Sequence, residues 1–211
     1  YNLIIGYALI ALVLLMAVVG LFYTPYPVNE MNVLQKNQPP SFAHLFGTDQ
    51  FGRDIFSRVM EGASTSFFIA LCVVLVGAVI GTLTGALTAY FGGWLDAVLM
   101  RVNDVLAAFP SVLLAICFVA VIGPGTYNLI VALGIVFIPS FTRVVRSEVL
   151  VQKELDYVRN AKLMGAKDMR ILVFHILPNI KPVLKTSLLV GFQNAVLSEA
   201  GMSYLGLGVT Q

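Results

Sequence analysis

The chain alternates long apolar runs with shorter polar stretches. The apolar runs lie at residues 3–22, 65–90, 105–122, 127–145 and 183–205. Each run approaches the roughly 20 residues that a helix needs to cross the hydrocarbon core of a membrane. Only Gly123-Pro124-Gly125 separates the third run from the fourth, which predicts a tight helical hairpin there. The pattern therefore predicts five membrane-spanning helices. The first lacks a small-residue cleavage site and is interpreted as a retained helix.

The first polar region, residues 23–64, follows the first predicted span. Apolar residues recur at helical spacing from Phe51 to Met60, with charged residues on the other face. This spacing predicts a short helix on the membrane surface, capped by Thr48 or Asp49.

The second polar region carries most of the cations. Residues 154–164 have the pattern of a short amphipathic helix, Gly165 is suited to a C-cap with positive φ, and residues 167–176 begin a second helix that Pro178 should end. Two short helices meeting at a glycine would fit a groove on a partner protein or bind anionic lipid head groups. Nine of the thirteen Lys and Arg residues lie in or beside this region: Arg143, Arg146, Lys153, Arg159, Lys162, Lys167, Arg170, Lys181 and Lys185.

Composition supports a polytopic helical membrane protein. Hydrophobic residues make up 58% of the chain and charged residues 11%, whereas about a quarter of a soluble domain is charged. Cationic loops stay in the cytoplasm, so the basic region and the N-terminus are predicted to be cytoplasmic. The net charge of +2 gives no argument for nucleic-acid binding. Cys72 and Cys117 are far apart within apolar runs, which predicts packing without a disulfide or metal.

Small and polar residues within the spans suggest helix contacts and a transport path. Gly77, Gly81 and Gly85 lie four residues apart, a spacing that lets helix backbones approach closely. Arg101 and Asp104 are three apart and could pair on one helix face. A polar face on the last run could line a translocation path or make bonds between helices. Its residues are Asn194, Ser198 and Glu199.

The sequence carries no motif for covalent chemistry. It has no G-x-x-x-x-G-K-[ST] segment, whose backbone would cradle phosphates, and no acid or histidine cluster with catalytic spacing. The chain is therefore predicted not to be an enzyme. Energy for any transport would come from another chain or from an ion gradient.

Residues 157–179, Y-V-R-N-A-K-L-M-G-A-K-D-M-R-I-L-V-F-H-I-L-P-N, resemble the EAA loop of ABC-importer permeases. Ala161, Gly165 and Leu177-Pro178 match that pattern, whereas Arg159 stands at its Glu position. Three further segments are similar to the dipeptide, oligopeptide and nickel permeases of the type I family, C-type subunit. They are G-T-D-Q-F-G-R-D-I-F-S-R at 47–58, L-A-A-F-P at 106–110 and S-Y-L-G-L-G at 203–208.

The resemblance implies an assembly in the bacterial cytoplasmic membrane. Its other members would be a second homologous permease subunit, two cytoplasmic ATPase subunits that bind ATP and Mg²⁺, and an external substrate-binding protein. This chain would need no cofactor of its own. The loop at residues 146–182 would dock into the ATPase, and the residues expected to couple the two are Tyr157, Arg159, Asn160, Ala161, Leu163, Met164, Gly165, Ala166, Lys167 and Asp168.

The resemblance also implies an all-α bundle with the type I ABC importer permease fold. Six spans are expected in such a subunit, the last of them beyond Gln211. The predicted domains are residues 1–64, with the first span and its loop, and 65–211, the permease domain.

The predicted function is the transmembrane subunit of an ATP-driven importer for peptides or for nickel and other metal chelates. A carrier driven by an ion gradient is one alternative and would require inverted repeats and buried acids near the midplane. A structural subunit of a larger redox complex is another and would require haem-binding histidines within spans. His44 and His175 instead fall in the polar loops.

Overall fold

The computed structural model describes residues 2–208, and every regular element in this part is helical, which confirms the all-α prediction. A 3₁₀ turn at Val33–Gln35 and a π-helical turn at Leu172–Ile176 accompany the α-helices. The α-helices are α1 (Asn2–Gly20), α2 (Ile55–Phe91), α3 (Gly93–Ala108), α4 (Ser111–Ile122), α5 (Thr126–Lys153), α6 (Asp156–Leu163), α7 (Asp168–Ile171), α8 (Leu177–Asn179) and α9 (Lys181–Tyr204).

Three of the described helices are long and apolar enough to cross a membrane. They are Leu3–Gly20 in α1, the 37-residue α2 and the 28-residue α5. The number rises to four if α3 and α4 together count as one bent span. Helix α9 occupies the fifth predicted position, but its polar residues leave it outside this set.

The predicted arm at 105–122 is not one straight helix. Helix α3 ends at Ala108 and α4 starts at Ser111, and the two meet at 94°. Pro110 lacks the N–H that would continue the ladder and restricts Phe109 to the extended conformation it adopts here. The predicted break between the two arms is confirmed, since α4 ends at Ile122 and α5 starts at Thr126, and Gly123 and Gly125 have φ of +100° and +140° there.

The chain divides into two compact units, one up to Phe68 and the other from Ile69 onward. In the first unit α1 packs closely on the start of α2. A methyl group at Gly20 would lie 2.6 Å from the carbonyl oxygen of Met60. The hydroxyl of Ser64 donates to the carbonyl of Ala17. Glycine at position 20 is therefore required by the close approach of the two helices.

Helix α2 starts at Ile55 and continues unbroken, so the separate surface helix predicted from Phe51 to Met60 is wrong. Its cap is also not Thr48 or Asp49 but Asp54, whose Oδ2 accepts from the Ser57 N–H at 2.8 Å. The other oxygen, Oδ1, lies 2.9 Å from His44 Nδ1. The helical periodicity was real, but it belonged to the first turns of a longer helix.

Burial alone would raise the pKa of Asp54, but hydrogen bonds from Ser57 and His44 outweigh that effect and hold the pKa below its usual value. The folded protein thus stabilises the ionised form of Asp54 relative to the protonated form. Its contribution to stability is present above the usual carboxyl pKa and is lost as the pH falls through the lowered one.

In the second unit the glycine stripe of α2 packs closely against another helix, as predicted, and that helix is α5. A methyl group at Gly77 would lie 2.9 Å from Phe137 Cβ, and one at Gly81 would lie 2.5 Å from Phe141 Cβ. The hydroxyls of Thr84 and Thr142 meet at 2.8 Å between the same helices. Only a helix face without side chains allows these backbones to come so close.

Two apolar clusters lie along this pair of helices. The first joins α2, α4, α5 and α9 through residues such as Ile69, Val73, Leu129 and Met202. The second lies at the other end of α2 and α5 and includes Val158 of α6 together with residues of α7 and the π-helical turn. The polar region at residues 154–178, which we call the basic segment, is therefore packed into the folded core.

We predict that Gly81→Ala destabilises the protein by about 1–3 kcal/mol, because the added methyl group overpacks the contact with Phe141. Thermal unfolding in detergent would measure the loss. Gly62→Ala in the same helix is the control, since no described atom lies within 4 Å of the added group. Equal stability of the two variants would contradict the close contact.

We predict that Asp54→Asn weakens the start of α2 by about 1–2 kcal/mol, seen as faster hydrogen exchange over the first turn. Below about pH 4 the difference from wild type should shrink as the pH falls through the lowered Asp54 pKa. The exposed Glu30, substituted by Gln, is the control. A difference that grows in acid would be inconsistent with the depressed pKa.

Candidate functional site

The basic segment folds as a helix, a glycine turn and a second helix. Helix α6 ends at Leu163, and Gly165 follows with φ of +83°, which confirms the predicted left-handed cap. The Gly165 N–H donates to the Lys162 carbonyl at 2.9 Å and the Ala166 N–H to the Ala161 carbonyl at 3.0 Å. These bonds satisfy carbonyls that the helix end leaves unpaired. The conformation of the turn is thus fixed by hydrogen bonds between residues close in the sequence.

Pro178 does not end the second helix, contrary to the prediction. Helix α7 passes into the π-helical turn, in which the Leu177 N–H donates to the Leu172 carbonyl. Pro178 then lies in the first turn of α8, where its missing N–H is tolerated. The widened turn shifts the register of the hydrogen bonds before the proline, and the chain continues through Ile180 into α9.

One side of this helix–turn–helix is anchored to the rest of the second unit. Val158, Ile171 and Ile176 are fully buried against the ends of α2 and α5. Their partners there include Ala86 and Val149. The turn is therefore held against α2 and α5 by side-chain packing.

Tyr90, the last but one residue of α2, connects three parts of this region. Its hydroxyl donates to Asp168 Oδ1 at 2.7 Å, and its carbonyl accepts from Lys153 Nζ at 2.6 Å. The Lys162 ammonium lies 5.3 Å from the centroid of the Tyr90 ring, within range of a cation–π contact. Sequence reasoning missed Tyr90, because a tyrosine at the end of an apolar run is ordinary in membrane helices.

The other side of the turn faces outward. Leu163 and Met164 are 85% and 88% exposed, and Arg159, Asn160 and Lys167 are also exposed. We call these five residues the docking tip. Of the remaining predicted coupling residues, Tyr157, Ala161 and Ala166 are half-buried, whereas Gly165 and Asp168 are exposed. The Tyr157 hydroxyl donates to Gln152 at 2.7 Å, and Asp168 is bound by Tyr90.

Helix α3 is joined to α5 by two ion pairs. Asp96 accepts two bonds of 2.8 Å from the Arg146 guanidinium, and Asp104 accepts one of 3.2 Å from Arg143. The predicted pair between Arg101 and Asp104 is wrong, because α3 packs beside α5 and the α5 arginines reach its acids. Arg101 makes no ion pair within residues 2–208.

A cavity of about 550 Å³ lies between α5, α9 and the start of α4. Asn194 and Ser198 line it, together with Ser111, Ser140, Thr186 and Ser187. Glu199 does not line it. That residue is only 3% exposed and accepts a hydrogen bond of 2.7 Å from the Ser203 hydroxyl, so its local role is a buried bond within α9. The residues that line the cavity offer hydroxyls, an amide and apolar groups, and none is charged.

Comparison with known proteins identifies the family to which these features belong. A family model for the inner membrane component of binding-protein-dependent transport systems matches residues 77–211. The chain belongs to this family. It is an ABC importer permease of type I, and the match includes the glycine stripe from Gly77 onward, the docking tip and the cavity.

Relatives match nearly the whole length of this chain, and the chain spans about two thirds of theirs. A protein of Brucella suis named for peptide transport is 44% identical over 204 residues, 97% of this chain and 69% of the relative. A dipeptide transport system permease of Alkalihalophilus pseudofirmus is 39% identical over 97% of this chain and 67% of its own length. A glutathione transport system permease of Escherichia coli is 42% identical, over 94% and 66% respectively. The permease is thus a multi-pass membrane subunit of a transport complex.

We predict that Tyr90→Phe loosens the glycine turn of the permease without unfolding it. The variant loses the bond from the tyrosine hydroxyl to the Asp168 carboxylate, which contributes about 1–2 kcal/mol. Hydrogen exchange at residues 164–168 should be roughly tenfold faster. Tyr204→Phe is the control, because its side chain is exposed on α9. Unchanged exchange in Tyr90→Phe would contradict the connecting role of Tyr90.

Proposed function

We propose that this chain is the transmembrane subunit of an ATP-driven importer for peptides, coupled to separate ATPase subunits through the docking tip. The observation that carries the proposal is the two-sided turn around Gly165. One side is packed into the ends of α2 and α5, and the other presents Leu163 and Met164 to the surroundings. A force applied to the docking tip would therefore reach the long helices of the bundle.

The docking tip has the properties of a protein-binding surface. Two neighbouring apolar side chains that are almost fully exposed gain about 1.5–3 kcal/mol each on burial. The turn that carries them is already ordered, so binding would cost little conformational entropy. Both features support insertion of the turn into a groove on a partner.

The cationic residues support a cytoplasmic location for this turn. Arg143, Arg146 and Lys153 lie in the second half of α5, and cations are retained on the cytoplasmic side. We propose on the same grounds that the N-terminus is cytoplasmic and that the membrane is the bacterial inner membrane. The ATPase subunits, which would bind ATP and Mg²⁺, then lie beneath the turn.

The proposed cycle uses this chain as a mechanical relay. ATP binding closes the two ATPase subunits, and the docking tip moves with them. Tyr90 and the core around Val158 transmit the movement to α2 and α5, and the glycine contact moves the two helices as one body. The bundle, with a second homologous permease subunit, then opens outward to accept cargo from an external binding protein.

The cavity between α4, α5 and α9 is the proposed path for cargo. Asn194, Ser198 and the neighbouring hydroxyls could exchange hydrogen bonds with the amide groups of a peptide. Relatives named for dipeptide and glutathione transport support a peptide cargo. Transport of nickel or another metal chelate stays a prediction. Glu199 is left out of the path because its carboxylate is bound to Ser203.

We predict that Gly165→Pro uncouples ATP hydrolysis from uptake, since proline cannot adopt the φ of +83° found there. Peptide transported per ATP hydrolysed, measured with the complete transporter in proteoliposomes, should fall about tenfold or more. Gly165→Asn is the matched control and should retain most coupling, because asparagine tolerates the left-handed conformation. Normal coupling in the proline variant would refute the role of this turn.

A further inference from the structure

The docking tip and the residues beside it carry four cations, and none of them has a strong partner within the described part of the chain. Arg159, Lys162, Lys167 and Arg170 lie within twelve residues, and the only acid among those residues is Asp168. That acid already accepts the hydroxyl of Tyr90. The surface around Leu163 and Met164 is therefore positively charged.

Arg159 is the only one of these four cations that makes an ion pair within the described residues, and that pair is weak. Its only ion pair within the described residues is with Glu154 at 3.3 Å, and the two side chains are 63% and 72% exposed. An exposed pair of this kind contributes little to stability. Lys162 differs, because its ammonium lies over the Tyr90 ring and at the C-terminal end of α6, where a cation is favourable.

The geometry of α6 places Arg159 beside the apolar residues. Arg159 and Leu163 are four residues apart, so they occupy the same helix face one turn from each other. When Leu163 and Met164 enter a groove, the Arg159 guanidinium must lie at its rim. A guanidinium presents a planar set of donors that matches a carboxylate.

Lipid head groups are a poorer match for this surface than a protein. Arg143 and Arg146 mark where α5 becomes polar, and α5 continues ten residues beyond Arg143 to Lys153, a length of about 15 Å. The docking tip follows Lys153 and is tied to the end of α2. Its apolar pair thus follows the polar, cation-bearing end of α5, which favours burial in a protein groove over burial among acyl chains.

From these observations we propose that the groove on the ATPase is apolar at its floor and acidic at its rim, with one carboxylate contacting Arg159. The inference rests on the proposed function, because it names the chemistry of the partner that the docking tip binds. The carboxylate takes the place that Glu154 holds loosely in the isolated chain. Attraction between the two surfaces also orients the turn as it enters.

The first test measures how tightly the ATPase is held by the complete transporter in detergent at increasing salt. Arg159→Glu should weaken retention about tenfold or more and flatten its salt dependence. Lys185→Glu is the matched control, because it reverses an exposed cation on α9 that does not belong to the docking tip. Met164→Asp should weaken retention at every salt concentration, since it puts a charge on the apolar floor.

The second test identifies the carboxylate directly. Arg159→Lys places a primary amine at the rim, and a carbodiimide joins a lysine amine to a carboxylate in contact with it. Mass spectrometry of the cross-linked complex should find the introduced amine joined to an Asp or Glu of the ATPase. Arg159→Gln, which has no amine, should give no link from this position.

The outcomes separate the inference from the proposed function. If Met164→Asp loses the ATPase while Arg159→Glu retains it with the wild-type salt dependence, the acidic rim is wrong and the docking function stands. If neither variant weakens retention, the docking function itself is wrong. Cross-links from the Arg159→Lys variant only to Glu154 of its own chain would also overturn the acidic rim.

Discussion

The close contact of α2 with α5 is the constraint on which the second unit depends. Gly77 and Gly81 leave the α2 backbone uncovered, so that Phe137 and Phe141 lie directly on it. Membrane helices gain little from hydrophobic exclusion against lipid, and their association depends on such packing and on bonds like that between Thr84 and Thr142. Helix α5 leads into the basic segment, and α2 ends beside it. The same contact therefore also determines what that segment packs against.

The basic segment combines rigidity and exposure in one short stretch. Its inner residues complete the core at the ends of α2 and α5, and Tyr90 ties the turn after Gly165 to α2. On its outer side Leu163 and Met164 are almost fully exposed, and the cations beside them make an exposed ion pair with Glu154 and a cation–π contact with Tyr90. A surface that is anchored to the long helices and still exposed is suited to receive a movement from a partner. The positive charge around it is the basis for proposing a partner that presents carboxylates.

The sequence allowed much of the site to be predicted, but with specific errors. The positive φ of Gly165 and the packing of the glycine stripe followed from residue type and spacing. The ion pair of Asp104 was not predicted correctly. Spacing along α3 suggested Arg101 as its partner, whereas α5 brings Arg143 close to it. The prediction that Pro178 stops the helix was also wrong. The π-helical turn that accommodates the proline has no signal in the residue pattern.

The sequence by itself determined the helical membrane class, the glycine turn and the family motifs, because these depend on hydrophobic runs, local backbone preferences and short spacings. Only the tertiary structure decided the 94° bend at Pro110, the separation of Asn194 and Ser198 from the buried Glu199, and the role of Tyr90. Each of these depends on which residue of a distant helix lies opposite. Neighbours along the chain do not specify that arrangement, since it arises from the packing of all the helices together.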